Sequence, residues 1–267
     1  MNYLKVLVQI ADEPEQEILV AQLSQLNFIG FEQREDYLLA YSVEGEVQFE
    51  DFESFLKNYE WQQELIPELN WNAEWEKSFD PIELEHVRIR AHFHQAKDDG
   101  AEEIIITPRM SFGTGHHSTT QLMLEEMNVL EFKDKDVLDY GTGTGVLAIY
   151  ASKLGAQKVL GIDIDPWSVD NSKENILRND CEDVQIELGG IEIVDVSYDI
   201  ILANINLNVI LESLKSLHRA LNASGQILFS GVLTKDLDNL KEAVKPYFKA
   251  VREQRLNNWI MLYCEKM

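Results

Sequence analysis

The run Asp139-Tyr140-Gly141-Thr142-Gly143-Thr144-Gly145 constrains this chain more than any other feature, because it sits between an apolar strand pattern and an apolar helix pattern that starts at Val146. Glycine at alternate positions lets the backbone turn tightly and come close to a ligand, while the helix start supplies N–H donors and partial positive charge. A strand, loop and helix joined in this way belong to a parallel α/β sheet. The chain beyond agrees. Apolar strands over Lys158–Asp163, Val184–Leu188, Tyr198–Ala203 and Gln226–Ser230 alternate with helical patterns from Pro166 to Asn179 and from Leu207 to Leu221. The end, Val251 to Glu265 across Asn257-Asn258, reads as a hairpin. The expectation is a doubly wound, mostly parallel sheet.

The front of the chain has another rhythm. A strand over Lys5–Ile10 leads to Pro14 at a helix start, with Ile18, Leu19, Leu23 and Leu26 at helical spacing. Strands over Gly30–Gln33 and Tyr37–Tyr41 follow, then a helix carrying Phe49, Phe52, Leu56 and Tyr59. The order βαββα predicts a small ferredoxin-like α+β domain over residues 1–60. Residues 61–80, with Trp61, Trp71 and Trp75 among acids and amides, read as a connector; its tryptophans either pin it to a domain surface or face a substrate. The large domain then covers residues 81–267. Near its start Val87, Ile89, Ala91 and Phe93 alternate with Arg88, Arg90, His92 and His94, which predicts a half-exposed strand with its basic face in water. His92 and His94 lack a third ligand, so no metal is expected.

With 267 residues, 45% of them hydrophobic, the chain can build its core without disulfide or metal staples. Lys plus Arg number 23 against 47 Asp plus Glu, a formal charge of -24, which argues against a surface that follows phosphates. No nucleic acid is expected as a direct partner. Residues 1–80 hold 18 acids and 4 bases, so the front suits a cationic protein. Two cysteines without framework spacing suit a reducing compartment. The first residues carry no signal-peptide pattern, and no apolar run approaches the ~18–20 residues that span a bilayer. A cytoplasmic protein with no membrane partner is expected.

Asp163 closes the next strand, 22 residues after Gly141, where its carboxylate can accept hydrogen bonds from both hydroxyls of a ribose. A dinucleotide fingerprint would be G-x-G-x-x-G, but Val146 occupies the third glycine's place. The observed G-x-G-x-G with Asp139 ahead of it suits a cofactor with a cationic amino-acid end and no pyrophosphate, such as S-adenosyl-L-methionine. Gly141 and Gly143 are then cofactor-binding candidates. A second turn, Phe112 to Thr120, precedes a helix over Leu122–Leu130, where Ser118, Thr119 or Thr120 either cap the helix or meet the ligand. His116 and His117 have no nearby nucleophile or carboxylate, so no hydrolytic triad is present. Asn204, at the end of a strand, either orients an attacking amine through its amide carbonyl or caps the next helix.

The set Asn70-Trp71-Asn72-Ala73-Glu74-Trp75, Phe112 to Thr120, Asp139 to Gly145, Gly161-Ile162-Asp163-Ile164-Asp165-Pro166 and Ala203-Asn204-Ile205 resembles the PrmA family, bacterial methyltransferases that modify ribosomal protein L11. The likeness runs over nearly the whole chain. It implies a class I, S-adenosylmethionine-dependent, Rossmann-like domain with a seven-stranded sheet behind a small substrate-recognition domain. It also implies that Thr120, Gly141, Asp163 and Asn204 fall on cofactor-binding positions. The activity implied is methyl transfer to lysine side chains and the N-terminal amine of L11, a basic protein captured free. Asn204 is the candidate for orienting the amine, and His117 for the cofactor pocket or proton removal. Arg109-Met110-Ser111 and Asn206 depart from the family's pattern. The competing readings are methylation of another substrate, a nicotinamide-dependent oxidoreductase, since Asp163 would serve either cofactor, and a non-enzymatic factor that binds a ribosomal protein.

Overall fold

The computed structural model describes residues 2–47, 49–67, 80–97, 100–107 and 115–267. The chain divides into two compact units, Met1–Ser78 and Phe79–Met267.

In the first unit β1 (Asn2–Gln9), α1 (Glu13–Leu23), β2 (Gly30–Gln33), β3 (Tyr37–Val43), α2 (Phe49–Leu56) and β4 (Glu60–Pro67) follow one another. The antiparallel sheet has the order β2-β3-β1-β4, the ferredoxin-like arrangement. Asp12 caps α1 by accepting from the Glu15 amide at 2.9 Å, and Val6, Val8, Leu19, Leu23, Leu38, Phe52 and Leu56 fill the core. One boundary is corrected. Residues 61–67 are sheet, not connector: β4 pairs with β1 from Glu60 to Pro67, and Trp61 meets the Phe52 ring edge-on at 5.9 Å. An edge strand covers the core with one face only, so the polar mixture Trp61-Gln62-Gln63-Glu64 hid it. Trp71 and Trp75 lie outside the described residues.

The second unit contains β5 (Ile82–Glu83), β6 (Val87–Ala91), β7 (Glu102–Ile106), α3 (Ser118–Met127), β8 (Asp136–Tyr140), α4 (Val146–Lys153), β9 (Lys158–Asp163) and α5 (Pro166–Arg178). It continues with β10 (Val184–Leu188), β11 (Tyr198–Asn204), α6 (Leu207–Arg219), β12 (Leu221–Leu233), α7 (Leu237–Val244), β13 (Phe248–Leu256) and β14 (Trp259–Lys266). Its seven-stranded sheet has the order β10-β9-β8-β11-β12-β14-β13, parallel except for β14, which runs against both of its neighbours. This is the seven-stranded, Rossmann-like sheet that the sequence resemblance implies. Two apolar clusters form the core. One gathers Leu122, Met123, Ile149 and Tyr150, the other Ile201, Ile210, Leu214 and Phe229. The order reverses between β8 and β11, so a crevice opens beyond the carboxyl ends of those strands.

Strands β5, β6 and β7 form a separate small sheet, with Ile89 and Ile104 in the first of these clusters. Its central strand overturns the expected solvated face. Arg88 and Arg90 are buried, at 3% and 8% exposure. Arg90 Nη2 lies 2.8 Å from Glu103, and Arg88 Nη2 donates to Glu83 at 3.3 Å. Burial pushes the Glu103 carboxyl up, but hydrogen bonds and the charges of Arg90 and Arg88 hold it below its usual value. Carboxylates on the flanking strands, invisible to a period-of-two pattern, let both guanidinium groups be enclosed. His94 Nδ1 accepts from the Ala91 amide at 3.2 Å. Among the described residues no group of three or more His, Cys, Asp and Glu side chains could hold a metal, and no helix is long and apolar enough to cross a membrane.

Candidate active site

A cleft of about 460 Å³ opens at the carboxyl ends of β8, β9 and β11. The glycine loop forms one wall. Gly141, Gly143 and Gly145 all have positive φ, at 77°, 57° and 82°. The Gly141 and Thr142 amides donate to the Ile162 carbonyl at 2.9 and 3.0 Å, tying the loop to β9. A Cβ on Gly141 would stand 2.3 Å from Ile205 Cγ2, so the backbone approach needs glycine there.

Asp163 stands opposite the loop. Its Oδ2 accepts from the Gly143 amide at 2.9 Å and its Oδ1 from the Asp165 amide at 3.0 Å. Each carboxylate oxygen can accept two hydrogen bonds, so acceptor capacity remains on both for a ligand diol. Asp165 is the N-cap of α5, accepting from the Trp167 and Ser168 amides, and this turn aims Asp163 at the cleft. Beneath the loop lies Asp139, 1% exposed, accepting from the Thr142 hydroxyl at 2.7 Å. Burial pushes its carboxyl up to about 7; the Thr142 hydroxyl and the Ala148 amide oppose the rise, and the Asp163 charge adds to it.

Asn204 ends β11 and is 8% exposed. Its Nδ2 donates to Thr120 Oγ1 at 3.5 Å, while its Oδ1 has no hydrogen-bond partner among the described residues. The cap of α6 is Asn206, whose side chain accepts from the Val209 amide at 3.1 Å. Asn204 is thus released from the capping role. The cap of α3 is His117, not Ser118, Thr119 or Thr120: Nδ1 accepts from the Thr119 amide at 3.3 Å and lies 2.7 Å from the Thr119 hydroxyl. Burial lowers the pKa of His117, and its ring meets Trp259 edge-on at 4.6 Å.

The cleft therefore brings together Gly141, Gly143, Asp163, Asn204 and His117. Thr120, fully buried, stands one layer behind and reaches the cleft through Asn204. Residues 108–114, with Arg109-Met110-Ser111 and the first three residues of the second glycine turn, lie outside the described residues. Sequence reasoning missed Trp259, Gly231, Ser168 and Val209, which also line the cleft. Ser168 and Val209 had a signal, each lying in the first turn of a helix that follows a motif strand. Gly231 and Trp259 had none in their local sequence. Gly231, with φ 82°, lies against the Ile205 backbone, and Trp259 opens the terminal hairpin strand.

Residues 9–267 match the family model described as ribosomal protein L11 methyltransferase (PrmA). The chain is 36% identical to a ribosomal protein L11 methyltransferase of Porphyromonas gingivalis, covering 98% of this chain and 97% of the relative. It is 39% identical to the protein of the same name from Chlorobaculum parvum, covering 91% and 89%. The solved ribosomal protein L11 methylase of Lactobacillus delbrueckii subsp. bulgaricus is 32% identical and superimposes with a TM-score of 0.66, covering 70% of this chain and 99% of that one. A methyltransferase of Pyrococcus furiosus, 18% identical, has a TM-score of 0.52 over 61% of this chain and 88% of its own, a likeness of fold alone.

Proposed function

The chain belongs to the ribosomal protein L11 methyltransferase (PrmA) family, and on that premise we propose that its cleft binds S-adenosyl-L-methionine and methylates lysine side-chain and N-terminal amines of free L11. The observation that carries this reading is the convergence, on one glycine-walled cleft, of the Asp163 carboxylate and the Asn204 carbonyl, which has no partner among the described residues. The residues fit the cofactor. Asp163 keeps acceptor capacity for a ribose diol, Gly141 lets the loop backbone lie against Ile205 where a Cβ would clash, and Val146 takes the place of the third glycine of a dinucleotide fingerprint.

When bound, S-adenosylmethionine supplies a sulfonium-activated methyl group. The protein's part is positioning. Asn204 Oδ1 accepts an N–H of the incoming amine and so orients its lone pair, while the Thr120 hydroxyl holds the other end of the Asn204 amide. The amine must be uncharged to react. An N-terminal amine, with a reference pKa of ~7.7–8, reaches that state far more easily than a lysine near ~10.4. His117 lines the cleft, but burial lowers its pKa and its Nδ1 accepts from the Thr119 amide, so it takes a proton only by giving up that cap.

The acidic first domain supports recognition of a basic protein before it is covered by ribosomal RNA, with no direct nucleic-acid contact and the cytoplasm as the site of action. Calorimetric titration with S-adenosylmethionine and, separately, with nicotinamide adenine dinucleotide tests the cofactor assignment. The expected result is saturable heat with the first alone, and binding of the second alone would overturn the proposal. Replacing Asn204 by Ala should then lower kcat by at least about tenfold, and unchanged turnover would remove it from the mechanism.

A further inference from the structure

Helix α5 is followed directly by Asn179, so that Asn171, Asn175 and Asn179 recur every fourth residue along one side. They face the edge of β7 not paired with β6 and act as a substitute strand. Asn179 accepts from the Ile105 amide at 2.9 Å and donates to the Ile105 carbonyl at 2.6 Å. Asn175 accepts from the Thr107 amide at 2.7 Å, and Asn171 donates to the Thr107 carbonyl at 3.1 Å. Each side chain satisfies backbone groups that would otherwise be left unpaired.

Asn175 does something the other two do not. Its Nδ2 donates to the Thr144 carbonyl, in the glycine loop, at 2.8 Å. The side chain is fully buried, and both of its polar atoms are engaged. The same helix meets the loop at two further points: a Cβ on Gly145 would lie 3.1 Å from Ser172 Cβ, and Ser168 lines the cleft. Asn175 thus stands where the β7-facing and loop-facing sides of α5 meet, and its side chain bonds to both Thr107 and the loop. Thr107 in turn leads, in sequence, towards the Phe112-to-Thr120 turn.

We propose that Asn175 is a positioning residue for the cofactor site, holding the glycine loop in register with β7 so that the backbone at Gly141 to Gly145 is preformed for its ligand. The inference rests on the cofactor reading above, but its first test does not. Asn175→Ala removes both bonds, and Asn179→Ala removes the analogous bonds to β7 without touching the loop. Amide hydrogen exchange on the unliganded proteins should show faster exchange across residues 141–147 in Asn175→Ala alone. Both variants should lose a few degrees of Tm.

Calorimetry with S-adenosylmethionine should show binding weakened about tenfold (about 1.4 kcal/mol) in Asn175→Ala and unchanged in Asn179→Ala, with kcat at saturating cofactor within about twofold of the original in both. Should Asn175→Ala fail to fold, Asn175→Ser, which keeps one hydroxyl, replaces it. Unchanged loop exchange on replacing Asn175, or an equal effect from Asn179→Ala, would overturn the inference. A parent protein that does not bind S-adenosylmethionine would instead defeat the cofactor reading and leave the exchange comparison to decide the role of Asn175.

Discussion

The Gly143 amide donates to Asp163 Oδ2 at 2.9 Å, so the glycine loop after β8 and the carboxylate at the end of β9 form one hydrogen-bonded unit. Asp163 fixes the loop while keeping acceptor capacity for a ligand. Replacing it by Ala frees the Gly143 and Asp165 amides and removes the ribose acceptor. Hydrogen bonds to charged groups contribute about 1.5–3 kcal/mol each, so cofactor affinity should fall by at least about 100-fold. Calorimetry checks this, and an unchanged Kd would detach Asp163 from binding.

Gly231 couples the backbone of β12 to Asn204. A Cβ there would lie 2.2 Å from the Ile205 carbonyl oxygen, at φ 82°. Backbone cannot rotate away as a side chain can, so Gly231→Ala must push Ile205, and with it the neighbouring Asn204, out of place. The left-handed conformation alone costs roughly 1–2 kcal/mol. Gly231→Ala should lower both Tm and kcat. Gly141→Ala, which meets the Ile205 Cγ2 methyl rather than its backbone, should lower Tm less than Gly231→Ala and impair cofactor binding directly.

Asp139 makes stability depend on pH. Its carboxyl rises from 3.8 to about 7 on folding, so between these values the folded state binds the proton and the unfolded chain does not. The stability this contributes is complete below about pH 4 and is lost as pH rises through about 7. Asn cannot ionise, so Asp139→Asn should gain in Tm relative to the parent as pH increases from 4 to 8. A Tm difference independent of pH would show that Asp139 titrates normally.

Glu126 is fully buried on α3, where Arg252 of β13 engages it through Nε and Nη2 and Gln254 donates at 2.9 Å. This network anchors the helix that carries Thr120 at its start. Removing Arg252 leaves a buried carboxylate short of its countercharge, which destabilises the fold. Neutralising Glu126 lets the half-exposed Arg252 turn to water. Thermal unfolding should therefore show a larger drop in Tm for Arg252→Ala than for Glu126→Gln. The reverse order would mean that the carboxylate is solvated.

The parts of this fold that were legible in the amino-acid sequence are those written in local patterns. Alternating strands and helices, the glycine loop, Asp163 and Asn204 lie within short motifs whose backbone demands limit the residue types. Arg88 and Arg90 misled because their burial depends on Glu83 and Glu103, carboxylates on the two flanking strands. Most of strand β4 reads as a connector in the sequence because an edge strand needs little apolar sequence of its own. Gly231 and Trp259 were out of reach for a similar reason. They enter the cleft through the pairing of β12 with β14, a contact set by tertiary structure.

The most direct test of the account is mass spectrometry of purified L11 incubated with this protein and S-adenosylmethionine carrying a labelled methyl group. The account predicts label on lysine side chains and on the N-terminal amine, lost when Asp163 is replaced by Ala. Unlabelled L11, in the presence of a protein that binds the cofactor, would contradict it.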